Sequence, residues 1–275
     1  MTMSFTATPD LAAIKARQQK TWSNGDYSAV AALIPIISES LCAEADLRAG
    51  ARVLDVAGGS GNTALAAARC GCEVVSIDYV PALLERAQER ARAEGLEIET
   101  IEADAEALPF PDASFDAVVS ALGVMFAPDH QAAASELLRT CRPGGTIALA
   151  NWTPDGFIGG LFATVGAHVP PPAGIQPPPL WGTDTHVRAL LGDGVRDMWV
   201  ARRSYTFRYR SPEHFVDFFR THYGPTFTAF AALDEDGQRA LADDLAALAR
   251  RFNRLEGDGA VALTADYLEV VATRR

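Results

Sequence analysis

The sequence is poor in cysteine: four occur in 275 residues, and they lie in apolar or helical contexts. They are Cys42, Cys70, Cys72 and Cys141. So few thiols argue against a disulfide framework, because disulfide-built folds use cysteine far more densely. Cys70 and Cys72 flank a single glycine, but no second Cys or His pair at ligand spacing accompanies them. The sequence therefore predicts small buried thiols and no metal site.

Long hydrophobic runs are also missing. No stretch approaches the roughly 20 apolar residues that cross a bilayer, and the first residues lack the charged-then-apolar pattern of a signal peptide. We therefore expect no membrane insertion and a cytoplasmic location. Lysine occurs only as Lys15 and Lys20. The balance of 24 basic against 35 acidic side chains gives a net charge of −11, which makes nucleic acid a poor candidate partner.

Short apolar runs alternate with helical stretches from residue 52 onward, which is the pattern of βαβ units in a parallel sheet. The predicted strands are 52–56, 73–77, 97–102, 115–120, 146–151, 198–210 and 267–273. Helices are predicted near 63–70, 81–94, 131–141, 212–220 and 234–253. This order predicts a doubly wound α/β fold, with the two late strands added at the far edge of the sheet.

We divide the chain into an N-terminal helical cap, an α/β core, a proline-rich insertion and a C-terminal part that completes the sheet. The boundaries are 1–48, 49–152, 153–197 and 198–275. Residues 9–47 read as two helices separated by the turn at residues 23–26, and Pro35 is expected to kink the second. The proline run at 170–179 can be neither strand interior nor helix, and it predicts a semi-rigid loop.

A glycine-rich loop follows the first predicted strand. Gly58, Gly59 and Gly61 lead from this strand into a helix. Main-chain N–H groups and the positive end of the helix then face the carboxyl edge of the sheet, where open α/β sheets bind ligands. The next strand ends at Asp78, whose carboxylate can accept from both hydroxyls of a ribose. This pair predicts an adenosine-containing cofactor.

The loop alone leaves the cofactor open, because residues 59–64 also fit the dinucleotide fingerprint G-x-G-x-x-A. A nicotinamide-dependent oxidoreductase, a cofactor-binding protein without turnover and a purely structural turn are the alternatives. A Walker loop is excluded because residues 58–63 contain no lysine. A nucleophile elbow is excluded because Asn62 stands where that motif needs glycine.

Further along, the chain resembles class I S-adenosylmethionine-dependent methyltransferases, in particular the ubiquinone and menaquinone biosynthesis C-methyltransferases. The resemblance covers about residues 18–152 and includes five motifs in the order of the family. These are Val53–Gly61, Val75–Asp78, Ala103–Phe110, Phe115–Ser120 and Leu138–Gly145. It implies a Rossmann-like α/β fold with a doubly wound, seven-stranded and mostly parallel sheet whose last strand is antiparallel. It also implies S-adenosylmethionine as cofactor and methyl transfer to a small molecule.

At the methionine end of the cofactor, the resemblance implies a role for the first glycine loop. Gly59 and Gly61, in the loop that begins with Ala57 and Gly58, would let the backbone approach the cofactor. Asp55 would lie beneath the cofactor's amino group. Ala57 departs from the pattern, because many members have glycine there, and we expect it to narrow the loop slightly.

At the nucleoside end, the resemblance implies that Asp78 holds the ribose and that Tyr79 packs on the adenine. Asp104 would accept from the exocyclic amine, and the N–H of Ala105 would meet a ring nitrogen. An aspartate that only caps a turn is the alternative for Asp104.

Four further residues complete the predicted cofactor site. Ser120 and Met125 would line the channel near the sulfonium. Trp22 and Tyr27 flank the N-terminal turn as in members whose first helices fold over the cofactor. The alternative is that these two aromatic residues only anchor the cap to the core.

The acceptor site is expected between the N-terminal cap and the insertion after the fifth strand, because both roof this site in the family. The segment after residue 152 is rich in aromatic residues, which suits a small apolar or aromatic acceptor. His222 and Tyr223 follow a predicted helix and precede a sharp turn, and we take them as candidate acid/base or acceptor-orienting groups. Carbon, oxygen and nitrogen acceptors all remain compatible with the fold, with carbon or oxygen favoured.

Overall fold

A computed structural model describes residues 10–257 and 259–275, and within these ranges it contains a seven-stranded sheet. The strands are β1 (Arg52–Val56), β2 (Glu73–Asp78), β3 (Glu99–Glu102), β4 (Phe115–Ala121), β5 (Cys141–Trp152), β6 (Val195–Tyr209) and β7 (Val261–Arg274). Their order across the sheet is β3-β2-β1-β4-β5-β7-β6. Strands β1 to β5 pair in parallel, and β7 pairs antiparallel with both β5 and β6. The last strand alone therefore runs against the others, and the predicted fold is confirmed.

The helices of the described residues connect these strands and cover the sheet. They are α1 (Leu11–Trp22), α2 (Tyr27–Ala31), α3 (Pro35–Glu44), α4 (Asn62–Arg69), α5 (Pro81–Glu94), α6 (His130–Thr140), α7 (Phe157–His168), α8 (Asp184–Leu191), α9 (Pro212–His222), α10 (Gly224–Ala232) and α11 (Glu235–Phe252). Short 3-10 helices lie at Val124–Phe126, Pro178–Gly182 and Gly192–Gly194. None of the helices in the described ranges has the length and apolarity needed to cross a bilayer.

The core follows from the near-continuous apolar runs of the central strands. Strand β1 is buried from Val53 to Val56, and β4 is almost wholly buried. A strand that is covered on both faces must be apolar on both faces, which is why apolar and polar residues do not alternate along these strands. From β1 the chain proceeds to β2 and β3 on one side of the sheet and then returns to β4 on the other side of β1. In open α/β sheets, ligands bind at the carboxyl ends of the strands where the strand order reverses in this way.

The N-terminal cap differs from the prediction of two helices, because the structure has three. Pro35 was expected to kink a helix, but it lies in the first turn of α3. Its fixed φ suits that position, and the N–H that proline lacks has no helical partner there in any case. Asp26 begins α2 by accepting from the Ser28 N–H at 3.1 Å. Residues 1–9 of the predicted cap lie outside the described residues.

The C-terminal half also contains more regular structure than the sequence predicted. Helices α7, α8 and α10 were not predicted, and β6 and β7 begin earlier in the chain than expected. Strand β5 begins at Cys141, because Cys141 already pairs with Phe115 of β4. The register between the two strands then shifts, and the regular pairing resumes at Thr146. The proline run is irregular over residues 170–177, and its last prolines begin a short 3-10 helix.

Candidate cofactor and acceptor site

A cleft lies at the carboxyl ends of β1 to β4, beneath the N-terminal helices. Its inner part is lined by the loop after β1, by Asp78 and by residues of α2 and α3. Its outer part encloses about 260 Å³ between α1, Tyr79 and the loop after β3. Both parts are lined by Ala57, Tyr79, Gly123 and Phe126, so they form one continuous cleft.

The three glycines of the loop after β1 have different structural roles. A Cβ on Gly58 would lie 2.5 Å from Asp55 Oδ2, so no side chain fits. Gly59 has a φ of +55°, and a Cβ there would point at the ring of Tyr27 across the cleft, 3.6 Å away. Gly61 has a φ of +88°, and its Cβ would lie 2.8 Å from Ala87 Cβ on α5. Gly61 therefore permits close packing of α4 on α5, and it is not among the residues that line the cleft.

Ala57 adopts a left-handed backbone conformation, with a φ of +54°. This conformation costs an alanine roughly 1–2 kcal/mol. The space for its methyl group is provided by Gly123, because a Cβ at position 123 would lie 2.8 Å from Ala57 Cβ. Ala57 lines both parts of the cleft, and Gly123 lies directly opposite it.

Asp55 is fully buried beneath the loop. Its Oδ2 accepts from the Ala64 N–H at 3.0 Å and from the Ser76 hydroxyl at 3.4 Å, whereas Oδ1 has no partner among the described residues. Burial raises the pKa of Asp55 to about 7, although both hydrogen bonds oppose this rise. Asp55 thus ties the end of β1 to α4 and β2 directly beneath Gly58, and it lines neither part of the cleft.

Asp78 lines the inner part of the cleft at the end of β2. Its Oδ2 accepts from the Gly59 N–H at 2.9 Å, and its Oδ1 accepts from the Val80 N–H at 2.9 Å. Burial raises the pKa of Asp78 to about 6, and these backbone hydrogen bonds limit the rise. The carboxylate therefore fixes the glycine loop and still has an acceptor lone pair on each oxygen, as a ribose contact requires.

The two raised pKa values predict a pH dependence of cofactor binding. Protonated Asp55 and Asp78 predominate below their pKa values of about 7 and 6, whereas a cationic amino group and ribose hydroxyls favour the ionised forms. We expect the affinity for S-adenosylhomocysteine to rise as the pH increases through 6–7, with release of protons on binding. Calorimetry in buffers of different ionisation enthalpy measures this release. Asp55→Asn should reduce it, and an unchanged release in that variant would exclude Asp55 as its source.

At the nucleoside end, Tyr79 lines both parts of the cleft, and its hydroxyl is buried without a partner among the described residues. Asp104 and Ala105 line the outer part. Asp104 Oδ1 accepts from the Glu106 N–H at 2.9 Å, which is the turn-capping contact weighed above. Its Oδ2 accepts from Lys15 Nζ at 2.6 Å. Asp104 therefore caps a turn and faces the cleft at the same time.

Ser120 and Met125 do not line the cleft, although they were predicted to line a channel. Both are fully buried. The Ser120 hydroxyl donates to the Val56 carbonyl at 2.6 Å and accepts from the Val124 N–H at 3.0 Å. Both hydroxyl contacts join the end of β1 to the turn after β4. Ser120 thus shapes the floor of the site, and Met125 packs in the core beneath it.

A second, aromatic cavity adjoins the inner part of the cleft. Trp22 contacts Phe126 and Tyr223 edge-to-face, with ring centroids 4.8 and 5.5 Å apart, and it contacts Tyr27 at 5.5 Å. The lining residues are all apolar or aromatic: Trp22, Tyr27, Val30, Ile34, Leu122, Phe126, Trp152, Ile158, Phe207, Phe219 and Tyr223. Trp22, Tyr27, Ile34, Leu122 and Phe126 also line the cleft, so the two spaces adjoin.

The two predicted catalytic candidates are placed differently. Tyr223 is buried and lines the aromatic cavity. The His222 ring packs on Phe218, with centroids 4.8 Å apart, and lines neither the cleft nor the aromatic cavity. The backbone carbonyl of His222 accepts from the Asp26 N–H at 3.1 Å, so this residue anchors the turn before α2.

Several polar residues of the inner cleft were missed by the sequence reasoning. They are Ser38, Ser60, Asn62 and Thr63. The Ser60 hydroxyl is buried without a partner among the described residues, and Ser38 and Thr63 share a hydrogen bond of 3.0 Å. Their positions could have identified the last three, because Ser60 lies within the glycine loop and Asn62 and Thr63 begin the helix that follows it. Nothing near Ser38 in the sequence indicates that α3 reaches the cleft.

The residues present fit a cofactor with an amino group, a ribose and an aromatic base. Three buried groups in or beneath the cleft have no partner in the part of the chain that the structure describes: Asp55 Oδ1, the Ser60 hydroxyl and the Tyr79 hydroxyl. The loop that approaches them cannot carry a side chain at Gly58. In the described ranges, no cluster of three or more His, Cys, Asp or Glu side chains could hold a metal ion.

Comparison with known proteins identifies the family. Residues 54–149 match the family model described as a methyltransferase domain. An uncharacterized protein of Mycobacterium tuberculosis is 45% identical over 226 residues, which covers 81% of this chain and 82% of that protein. The chain belongs to the class I S-adenosylmethionine-dependent methyltransferases. The cofactor of this methyltransferase is S-adenosylmethionine, and the oxidoreductase alternative is set aside.

Two further similarities concern the branch and the fold. The demethylmenaquinone methyltransferase of Thermus thermophilus is 38% identical over 142 residues, or 46% of this methyltransferase and 64% of that enzyme. A putative methyltransferase of Bacillus halodurans shares 18% identity and a TM-score of 0.62, with coverage of 86% of this chain and 97% of that one. The first confirms the resemblance to the quinone-biosynthesis branch, and the second shows the same fold.

Proposed function

We propose that this methyltransferase transfers a methyl group to a carbon or oxygen atom of a small apolar or aromatic acceptor held in the aromatic cavity. One observation supports this most directly: the aromatic cavity and the cleft share five lining residues, so an acceptor would lie beside the cofactor. Ligand pockets for small molecules are mostly apolar with a few polar groups, which matches this lining. The cavity encloses only about 20 Å³, so its side chains must move apart when an acceptor binds.

Within this proposal, the cofactor-binding residues act by position. Gly58 and Gly59 bring the backbone to the methionine end, and Asp55 supports them from below. Asp78 accepts from the ribose, and Tyr79 covers the base. The cofactor supplies a methyl group that is already activated on a sulfonium, so the protein must mainly align the acceptor and exclude water. Alignment of this kind is worth roughly 7–11 kcal/mol.

The side chains that line the aromatic cavity carry four polar groups, the hydroxyls of Tyr27 and Tyr223 and the indole N–H groups of Trp22 and Trp152. Burial raises the pKa of Tyr27 to about 12, with a smaller contribution from Asp78, and burial raises the pKa of Tyr223 well above its usual value. Both hydroxyls therefore stay protonated near neutral pH. They can donate a hydrogen bond to an acceptor oxygen, but neither can act as a base there. We propose that Tyr223 orients the acceptor.

The proposed role of Tyr223 predicts a specific kinetic result. Tyr223→Phe keeps the ring and its contacts with Trp22 but removes one hydrogen bond, which is worth about 1 kcal/mol. We expect turnover to fall roughly fivefold with unchanged affinity for S-adenosylhomocysteine. His222→Ala is the matched comparison, and we expect near wild-type turnover because its ring lines neither space.

The experiment incubates the protein with S-adenosylmethionine carrying a labelled methyl group and a panel of small phenols, enols, amines and alcohols. Transfer of label to an oxygen or carbon acceptor supports the proposal. Transfer only to charged, non-aromatic amines would contradict the acceptor class. A larger loss in His222→Ala than in Tyr223→Phe would reverse the assignment of the two residues.

A further inference from the structure

We propose that Lys15 is a positioning residue that holds helix α1 closed over the nucleoside end of the cleft and thereby sets how long the cofactor stays bound. The proposal rests on the assignment of this cleft to the cofactor. Lys15 is one of only two lysines in the chain, and it lines the outer part of the cleft. It was not among the residues predicted from the sequence.

Helix α1 makes polar contacts with the loops that follow three neighbouring strands. After β3, Lys15 Nζ lies 2.6 Å from Asp104 Oδ2 and also contacts Glu106 Oε2. After β2, Gln19 Nε2 donates to the Tyr79 carbonyl at 2.5 Å. After β4, Gln18 Nε2 donates to the Phe126 carbonyl at 3.1 Å. One helix therefore bridges the carboxyl edge of the sheet across the opening of the cleft.

The apolar anchoring of α1 is concentrated at two residues, Ile14 and Trp22. Ile14 is the one residue of α1 that is buried, and Trp22 at its end is partly buried. Segments with few buried apolar contacts open most easily. Apart from these two residues, α1 is held to the loops by its polar contacts, and Lys15 makes two of them.

The carboxylates that Lys15 pairs with differ in exposure. The Glu106 side chain is only 4% exposed, and its Oε1 accepts from the Asp129 N–H at 2.7 Å. The Asp104 side chain is 38% exposed. Although burial works in the opposite direction, hydrogen bonds to both carboxylates raise the pKa of Lys15, which stays charged at neutral pH. Moving Lys15 away leaves Glu106 buried without its cationic partner, which is unfavourable.

The ligand space lies beneath α1. The inner part of the cleft encloses about 60 Å³ and the outer part, which α1 lines, about 260 Å³, so that together they reach only the lower end of the roughly 300–1,000 Å³ that small-ligand sites usually measure. The turn after α1 is anchored: a Cβ on Gly25 would lie 2.7 Å from the carbonyl oxygen of His222, and the Asp26 N–H donates to the same carbonyl. Lys15 lies in the half of α1 away from this turn, so we expect opening to begin in that half.

The test measures release of S-adenosylhomocysteine by stopped flow, with the fluorescence of Trp22 as reporter, since Trp22 lines the cleft. Lys15→Gln is expected to raise the dissociation rate constant at least tenfold. In the wild type this rate should also rise with ionic strength, because salt screens a partly exposed ion pair. The salt dependence should be much smaller in Lys15→Gln and should return in Lys15→Arg.

Lys20→Gln is the matched control, because Lys20 lies on the same helix, is exposed and enters no ion pair among the described residues. We expect its dissociation rate to equal that of the wild type. Equal rates in Lys15→Gln and Lys20→Gln overturn the role of Lys15 but leave the cofactor site standing. Failure of the wild type to bind S-adenosylhomocysteine overturns both the cofactor site and the role of Lys15.

Discussion

Asp78→Asn is expected to weaken the binding of S-adenosylhomocysteine about 30- to 150-fold, measured by calorimetry. The carboxylate is nearly buried and accepts from the Gly59 and Val80 N–H groups, so it holds the glycine loop as well as facing the cleft. The substitution turns one acceptor into a donor that faces an N–H group. Loss of hydrogen bonds to a buried charged group costs about 2–3 kcal/mol, which corresponds to this range.

Glu102→Gln provides the control for this experiment. Glu102 ends β3, the strand next to β2, and pairs with Asp78 in the sheet, but it is exposed and lines neither part of the cleft. The same loss of a negative charge should leave affinity within about twofold, because a screened surface charge contributes little. Equal affinities in Asp78→Asn and the wild type would remove Asp78 from the cofactor site.

The parts of the fold that could be predicted are those with strong local signals. Helix α5 begins at Pro81 and is capped by Gly95, which has a φ of +68°, and both boundaries were predicted. Strand β1 also has its predicted bounds, because an apolar run between polar breaks leaves little ambiguity. Helices α7 and α10 have weak apolar periodicity, so no helical pattern distinguishes them from buried strands.

The residues of the site likewise divide into those that a local sequence signal predicts and those that it does not. Asp78, Tyr79 and Gly59 follow directly after predicted strands, so their place at the carboxyl edge of the sheet follows from the topology. Ser38 and Lys15 come from the cap helices, and only tertiary packing brings them to the cleft. A motif match also does not say which way a residue faces.

Gly61 and Ser120 illustrate this last point. Both stand in the family's motifs, but Gly61 faces Ala87 on the neighbouring helix, and the Ser120 hydroxyl is used within the floor of the site. The chain order of these motifs predicted the fold correctly. The direction of an individual side chain depends on which element packs against it, and one sequence does not contain that information.

Gly58→Ala is expected to destabilise the protein through a clash beneath the glycine loop. The new Cβ would lie 2.5 Å from Asp55 Oδ2 and would also clash with the Ser76 hydroxyl. Both groups are fully buried, and Asp55 is held by the Ala64 N–H, so neither can move freely. Overpacking of this kind costs about 1–3 kcal/mol, measured as the free energy of unfolding in urea. Affinity for S-adenosylhomocysteine should fall as well, because the loop must shift.

Substitutions at two other glycines serve as controls. They distinguish the effect of this clash from the effects of backbone strain and of a side chain that obstructs the cleft. At Gly95 a Cβ meets nothing within 4 Å, so Gly95→Ala should cost only the strain of a positive φ, about 1 kcal/mol, and leave affinity unchanged. At Gly59 the same strain applies, but the Cβ points into the cleft toward Tyr27. Gly59→Ala should therefore lose affinity with little further loss of stability. If Gly58→Ala were as stable as Gly95→Ala, the close contact with Asp55 and Ser76 would not constrain the side chain at position 58, and the predicted clash would be wrong.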